Sequence, residues 1–274
     1  MLKLAVVGAQ TLLGRELVGA LEPQECTVLP LATGPLSKDD EEGDLVVFAP
    51  EPALLEGLDV AILVDTPQDP ELLAAFPGRV LDLRAEADPR TAGDPMPLGG
   101  TWPPTVLRYR GRAALDQVLA LLPRLVSGIA DLGGTHLRSV AHLGDRGIDA
   151  LVAQSHAVMH GEDPDTESLG HRLAFELVPQ PPRGSLIEVR TPTFHGDLLI
   201  LTLRAAEGQS LARLEAPEGV KWVDAPPSSR DVAVSSELLA HFAPGAEGRT
   251  ALLTLGFDPI LWGVLRPVLR LLGL

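Results

Sequence analysis

The chain holds a single cysteine, Cys26. That excludes an intrachain disulfide and any metal site built on several cysteines, and it fits a reducing, cytoplasmic setting. Positive charge is also short: 22 Lys and Arg stand against 37 Asp and Glu, a net charge of -15. Nucleic acid and anionic membranes both call for basic patches, so neither is an expected partner. No long apolar run exists either. The most apolar stretch, residues 254–274, is interrupted by Asp258, Pro259, Arg266, Pro267 and Arg270, which leaves it short of the roughly 18 uncharged residues of a membrane span. A charged leader with a small-residue cleavage site is missing, because residues 2–7 already read as a strand. Internal repeats, low-complexity tails, Walker-type phosphate loops and Gly-x-Ser-x-Gly elbows are absent.

What is present begins with the glycines at the start. The run Leu2-Lys3-Leu4-Ala5-Val6-Val7 leads into Gly8-Ala9-Gln10-Thr11-Leu12-Leu13-Gly14, a buried strand, a tight turn and a helix. In a dinucleotide-binding unit one glycine permits the turn, one lets backbone approach a pyrophosphate, and one lets helix pack on strand. Gly8 and Gly14 keep the first and last of these tasks. Thr11 puts a β-branched side chain where the phosphate would approach. The cofactor positions this reading names are Gly8, Thr11, Gly14 and Thr33; no cofactor is assigned, and NADP or NAD is the ligand if binding survives.

The patterning continues as alternating strands and helices. Strands are expected at 3–7, 27–31, 45–48, 60–64 and 80–83, and helices at 12–21 and 70–76 with Asp69 as cap. Such alternation implies a parallel sheet. The Pro/Gly-rich stretch 89–104 reads as a connection between domains. Beyond it come a helix at 113–126, a strand at 137–143 and helices at 148–159 and 167–177. Antiparallel-type strands follow at 185–191, 198–204, 220–223, 232–235 and 250–255, with a helix at 211–214 among them. Residues 259–272 close the pattern as a helix capped by Asp258 and bent at Pro267. The fold class is α/β, a Rossmann-like parallel-sheet domain followed by an α+β domain.

His156 and His160 lie four apart on a predicted helix, with Glu162 and Asp163 after them. The acids fall past the helix end, and three ligands must converge to hold a metal, so no metal site is expected.

In this order and spacing the chain resembles the aspartate-semialdehyde dehydrogenase family. The anchors are Val6-Val7-Gly8-Ala9, Gln117-Val118-Leu119-Ala120-Leu121-Leu122-Pro123, Leu173-Ala174-Phe175 and Arg190-Thr191-Pro192-Thr193-Phe194. The resemblance implies an NADP domain (residues 1–110 with 256–274), a catalytic and dimerisation domain (residues 111–255) and a homodimer. It is similar in detail to the family's degenerate Usg-type branch, which shares Gly196-Asp197 and the helix start Leu143-Gly144-Asp145-Arg146-Gly147.

The family's chemical groups are not in their places. Its nucleophilic cysteine matches Ala113, which cannot form a thiohemiacetal. Cys26, at the start of the second strand, reads as a small apolar residue. Arg190 matches the substrate-binding arginine, and the catalytic histidine seven residues on is Asp197. His195 is the candidate replacement, although an offset of two strand residues moves a side chain by about 7 Å. Acid stands where a phosphate-side arginine belongs, in Asp82-Leu83-Arg84-Ala85-Glu86-Ala87-Asp88, with Arg84 as a displaced substitute. A helical segment bearing a phosphate-contacting lysine is missing before residue 185. The loop 33–42, rich in Asp and Glu, opposes a 2′-phosphate. Carboxylates also mark the turn 65–69, and Gly256-Phe257-Asp258-Pro259-Ile260-Leu261-Trp262 puts bulk where a nicotinamide would lie. Two readings stay open. One is a semialdehyde-dehydrogenase-like protein without the phosphorylating activity that acts by binding or as a dimeric scaffold; the other is an NAD(P)-dependent oxidoreductase acting on an aldehyde through an altered site.

Overall fold

The computed structural model describes residues 1–36, 45–73, 76–84, 93–98 and 100–274. The chain divides into two compact units, Met1–Ala113 with Gly263–Leu274, and Ala114–Trp262.

The first unit is a six-stranded parallel sheet in the order β2-β1-β3-β4-β6-β5. Its strands are β1 (Leu2–Val7), β2 (Cys26–Leu31), β3 (Val60–Leu63), β4 (Arg79–Asp82), β5 (Asp94–Pro95) and β6 (Arg108–Arg110). Leu4 to Val7 and Val60 to Ile62 are wholly buried, as strands covered on both faces must be. Helix α1 (Leu12–Leu21) links β1 to β2 and buries Leu17, Val18 and Leu21. The expected strand at 45–48 is reduced to one bridge, Leu31 to Phe48. The expected helix at 70–76 is a 3₁₀ turn, Pro70–Leu73, in which Asp69 caps the Glu71 N–H at 2.9 Å; residues 74–75 lie outside the described set. Within the Pro/Gly-rich stretch, residues 93–98 and 100–104 belong to this unit. Met96 and Trp102 are buried, and Trp102 N–H donates to Leu271 O at 2.8 Å.

The second unit pairs seven strands in the order β13-β14-β15-β11-β8-β10-β9, with a separate β12-β7 pair. The ranges are β7 (Val126–Ser127), β8 (Ile129–Arg138), β9 (Val178–Pro179), β10 (Leu186–Arg190), β11 (Asp197–Ala205), β12 (Ala212–Arg213), β13 (Val220–Trp222), β14 (Leu238–Pro244) and β15 (Thr250–Phe257). One sheet face carries Leu199, Leu201, Leu203, Leu253, Leu255 and Phe257 into a core shared with Leu115, Val118, Leu122 and Leu125. Those last four come from α2 (Ala114–Leu119) and α3 (Leu122–Leu125). A single helix was expected over 113–126; Pro123 lacks an N–H and occupies the first turn of α3, so the run is split.

Other local expectations are corrected. The strand placed at 137–143 lies earlier, at Ile129–Arg138, because Gly133 and Gly134 hide it from a propensity reading. Residues 140–143 are a 3₁₀ turn leading into α4 (Gly144–Met159). No helix forms at 167–177, where Gly170 and Phe175 both take positive φ. The expected helix at 211–214 is β12. The expected strand at 232–235 is instead α5 (Ser229–Ala233), started by a Ser228–Asp231 capping box. The C-terminal helix opens on Asp258, which accepts from the N–H of Ile260 at 2.7 Å and of Leu261 at 3.0 Å. It runs through a π-turn, Leu261–Leu265, into α6 (Arg266–Leu272). The wide turn sits just before Pro267, whose ring would crowd the preceding carbonyls.

Candidate functional site

In the first unit the turn after β1 meets the ends of β2, β3 and β4. Gly8 has φ +92, and a Cβ there would lie 2.8 Å from the Asp65 Cβ. A Cβ on Gly14 would lie 2.2 Å from Gly8 O, so Gly14 is what lets α1 sit on the turn. Thr11 is the N-cap of α1. Its hydroxyl donates to Gly8 O at 2.8 Å and accepts from the Gly14 N–H at 3.1 Å. A helix start holds an anion with unpaired N–H groups, and here Thr11 takes one of them. Thr33 is engaged as well, for its hydroxyl accepts from Gln10 Nε2 at 3.0 Å and its carbonyl accepts from the Gln68 N–H at 2.6 Å. The Gln68 side chain fills the space beside Gly34. Arg84 is gripped by Asp82, Nε to Oδ1 at 2.9 Å and Nη2 to Oδ2 at 2.6 Å. These residues do not fit a dinucleotide diphosphate: the close-approach position carries a side chain, and the nearby cation is neutralised. The acidic run 38–42 and residues 85–88 lie outside the described set.

The second unit holds a buried polar cluster on one sheet face. In register, Glu188 pairs with His136 and Arg190 with Arg138 across β10 and β8, while Leu199 pairs with His136 across β11. Residues in register share a face, so these side chains gather beside Asp197. The Asp197 carboxylate is almost fully buried. It accepts from Ser139 N–H at 2.9 Å, from Ser139 Oγ at 2.7 Å and from His136 Nε2 at 2.9 Å. The His136 ring stacks on Phe257, with centroids 6.1 Å apart. Arg138 pairs with Glu188 at 3.1 Å.

The Ser139 carbonyl accepts from His142 Nδ1 at 2.6 Å. A carbonyl only accepts, so the proton is on Nδ1 and the Nε2 lone pair is left free. Nε2 has no partner among the described residues and is not sealed from solvent. Burial, then Arg138 and to a smaller degree Arg190, push the His142 pKa down to about 4. Arg190 has no carboxylate partner among the described residues. One of its Nη groups donates to Leu169 O at 3.3 Å, and its buried Nε has no partner. His171 lies beside it, held below the usual histidine range by burial and by the Arg190 charge.

The structure therefore puts Arg190 and Asp197 on one sheet face with β8 between their strands, and Asp197 accepts three hydrogen bonds there. His195 is half-buried in the loop before β11 and has no hydrogen-bond or ion-pair partner among the described residues. Ala113 is exposed at the start of α2. Cys26 heads β2, its thiol reaching Leu21 O at 3.4 Å and pushed up in pKa by burial, away from a reactive thiolate. His156 and His160 stack at 4.1 Å, and His160 Nδ1 donates to His156 O, which closes the end of α4. The bulk expected to fill a nicotinamide position goes elsewhere: Phe257 and Trp262 are buried in the second unit's own core. Sequence reasoning missed His136, Arg138, Ser139 and His142. The alternation of His136 with Arg138, set against Glu188 and Arg190, is the signal that exposes them once the strand is placed.

The class of protein this defines is a two-unit α/β fold with a parallel six-stranded sheet and a mixed seven-stranded sheet. Solved structures similar to it over nearly the whole chain include aspartate-semialdehyde dehydrogenases. A probable aspartate-semialdehyde dehydrogenase from Pseudomonas aeruginosa is 21% identical over 99% of this chain and 97% of its own, with a TM-score of 0.71. Aspartate semialdehyde dehydrogenase II from Vibrio cholerae, complexed with ASA, is 17% identical over 97% and 96%, with a TM-score of 0.73. The enzyme from Francisella tularensis is 12% identical over 100% and 99%, with a TM-score of 0.72. No family model and no curated protein matches the sequence. Among the described residues no helix is long and apolar enough to cross a membrane.

Proposed function

We propose that this chain is a member of the aspartate-semialdehyde dehydrogenase family, of its degenerate Usg-type branch, that does not carry out phosphorylating aldehyde oxidation and acts by binding, as a cytoplasmic homodimer. One observation carries the reading. The residue at the family's histidine position, Asp197, is a buried carboxylate that accepts three hydrogen bonds from Ser139 and His136, so the position holds an anchored acceptor in place of the family's catalytic imidazole. Ala113 at the nucleophile position adds the lack of a thiol. The engaged hydroxyls of Thr11 and Thr33 argue in the same direction for the cofactor.

The test is nucleotide binding and turnover. Titration with NAD and NADP, followed by calorimetry or tryptophan fluorescence, is expected to show dissociation constants weaker than about 1 mM. Phosphate-dependent nucleotide reduction with aspartate semialdehyde is expected to be absent. Micromolar binding would instead favour the alternative oxidoreductase reading, which draws on the intact geometry of Gly8 and Gly14. Turnover that survives Cys26→Ala would overturn the proposal.

The dimer reading rests on the second sheet's other face. Leu252 is 40% exposed and Ile187 46%. By register they share this face with the half-buried Leu198 and Ile200. An apolar sheet face of this kind suits a self-complementary contact with a second copy. Leu252→Glu with Ile187→Glu is expected to convert a dimer to a monomer by light scattering. A wild-type monomer at tens of micromolar would remove this part of the proposal.

A further inference from the structure

We infer that the groove between α5 and the edge strand β13 binds an apolar dipeptide with both termini free, Lys221 taking its carboxylate and Glu237 its ammonium. The inference goes beyond the reading above and does not depend on it.

The groove belongs to the second unit and has a volume of about 530 Å³, within the range of small-molecule sites. Register fixes its floor. Lys221 pairs with Leu239 across β13 and β14, Leu239 pairs with Gly256, and Gly256 pairs with Leu198. Asp197 and Leu199 alternate to the other side, so the groove lies on the sheet face opposite the Asp197 cluster. Its wall on the β15 side is α5: a Cβ on Gly256 would lie 2.7 Å from Val232 Cγ2 and 3.1 Å from Pro227 Cβ. That wall also sets the groove off from Leu198. The capping box of Ser228 and Asp231 holds the wall in place, so little ordering is left for a ligand to impose.

The lining has two kinds of surface. Leu239, Val223 and Pro227 are apolar, and Val234 beside them is 85% exposed, more than any other large apolar side chain among the described residues except Met1. The charges are Lys221, Glu237 and Asp231. Asp231 is engaged, since its Oδ2 accepts from the Ser228 N–H at 2.8 Å and from the Ser228 hydroxyl at 2.7 Å. Lys221 and Glu237 line the same groove, yet neither has an ion-pair partner among the described residues. Ser235 steadies the Glu237 backbone: its hydroxyl donates to Glu237 O and accepts from the Glu237 N–H, both at 3.1 Å.

The spacing of the two free charges selects the ligand. Val220 pairs with Leu238, which puts Glu237 beside Gly219, one strand across and two residues along from Lys221. Their Cα atoms are thus about 8 Å apart. An extended residue spans about 3.5 Å, so a dipeptide reaches about 7 Å from end to end and a single amino acid half of that. A dipeptide therefore meets both charges while its apolar side chains cover Leu239, Val223 and Val234.

The experiment is calorimetry on the intact chain at pH 7 with leucyl-leucine, its N-acetyl and C-amide derivatives, leucine and glycyl-glycine. Leucyl-leucine is expected to bind with a dissociation constant below about 1 mM, and leucine and glycyl-glycine about tenfold more weakly or worse. Blocking either terminus is expected to cost about fivefold or more in wild type. The variants then assign the partners, because removing both members of one pair costs no more than removing either. Lys221→Met is expected to bind leucyl-leucine and its C-amide within about twofold of each other, while still discriminating against the N-acetyl form. Glu237→Gln is expected to show the reverse. The inference is overturned if leucyl-leucine fails to bind below about 10 mM, if leucine or glycyl-glycine binds as tightly, or if blocking a terminus costs the same in the variants as in wild type. Nucleotide binding or turnover bears on the preceding proposal alone and leaves these ratios to decide this one.

Discussion

Asp197→Ala is expected to lower unfolding stability by about 3–5 kcal/mol, the range for removing one member of a buried polar or ionic set. The loss follows from what remains. Without the carboxylate, the Ser139 N–H and hydroxyl and His136 Nε2 keep their burial and lose their acceptor. Each orphaned buried donor costs about 1–3 kcal/mol, less whatever relaxation recovers. Asp197→Asn is expected to cost clearly less. Its amide oxygen still serves Ser139, and its NH₂ group can donate to His136 after a change of tautomer. Urea unfolding of the three proteins decides it. An alanine variant within about 1 kcal/mol of wild type would mean the cluster contributes little to the fold.

Stability is further expected to fall by up to about 3 kcal/mol between pH 6.5 and 4 because of His142 alone. The native pKa of about 4 lies below the ordinary 6.5. Above pH 6.5 both folded and unfolded forms are neutral, and the contribution is fully present. Below it the unfolded chain binds a proton that the folded chain refuses, so stability is lost as pH falls toward 4. The groups facing the ring are Arg138 and Arg190, which oppose protonation, and the Ser139 carbonyl and Asp197, which favour it. Comparing wild type with His142→Asn across pH 7.5 to 4.5 isolates this part from the carboxylates. Parallel curves for the two proteins would show that His142 titrates normally.

How much of this was legible in the sequence varies by distance along the chain. The β1 turn and α1 were readable because strand, glycine turn and helix face are all encoded within a few residues: Gly8 turns the chain, Gly14 lets the helix pack, and Leu17 and Leu21 face inward; that Thr11 caps the helix was not read. The strand Ile129–Arg138 was hidden by its own glycines, and α5 by an apolar pair, Val232 and Val234, that mimics a strand. The site was half legible. Arg190 and Asp197 stood out by position, yet the groups that give them meaning lie far off in sequence. His136 and Ser139 are 61 and 58 residues from Asp197, and only the pairing of β8 with β10 and β11 brings them together.

The first unit draws residues from both sides of the second, and Trp102 waits on the carbonyl of Leu271 for its backbone partner. A chain made from one end to the other has the second unit's whole segment in hand before residues 263–274 exist. The parallel sheet is thus assembled early but sealed late. Closing so long an intervening loop costs little entropy if that loop is already folded, and more if it is not. Folding of the inserted unit therefore sets the timing for the first, and a defect at Asp197 is expected to delay maturation of a sheet to which that residue does not belong.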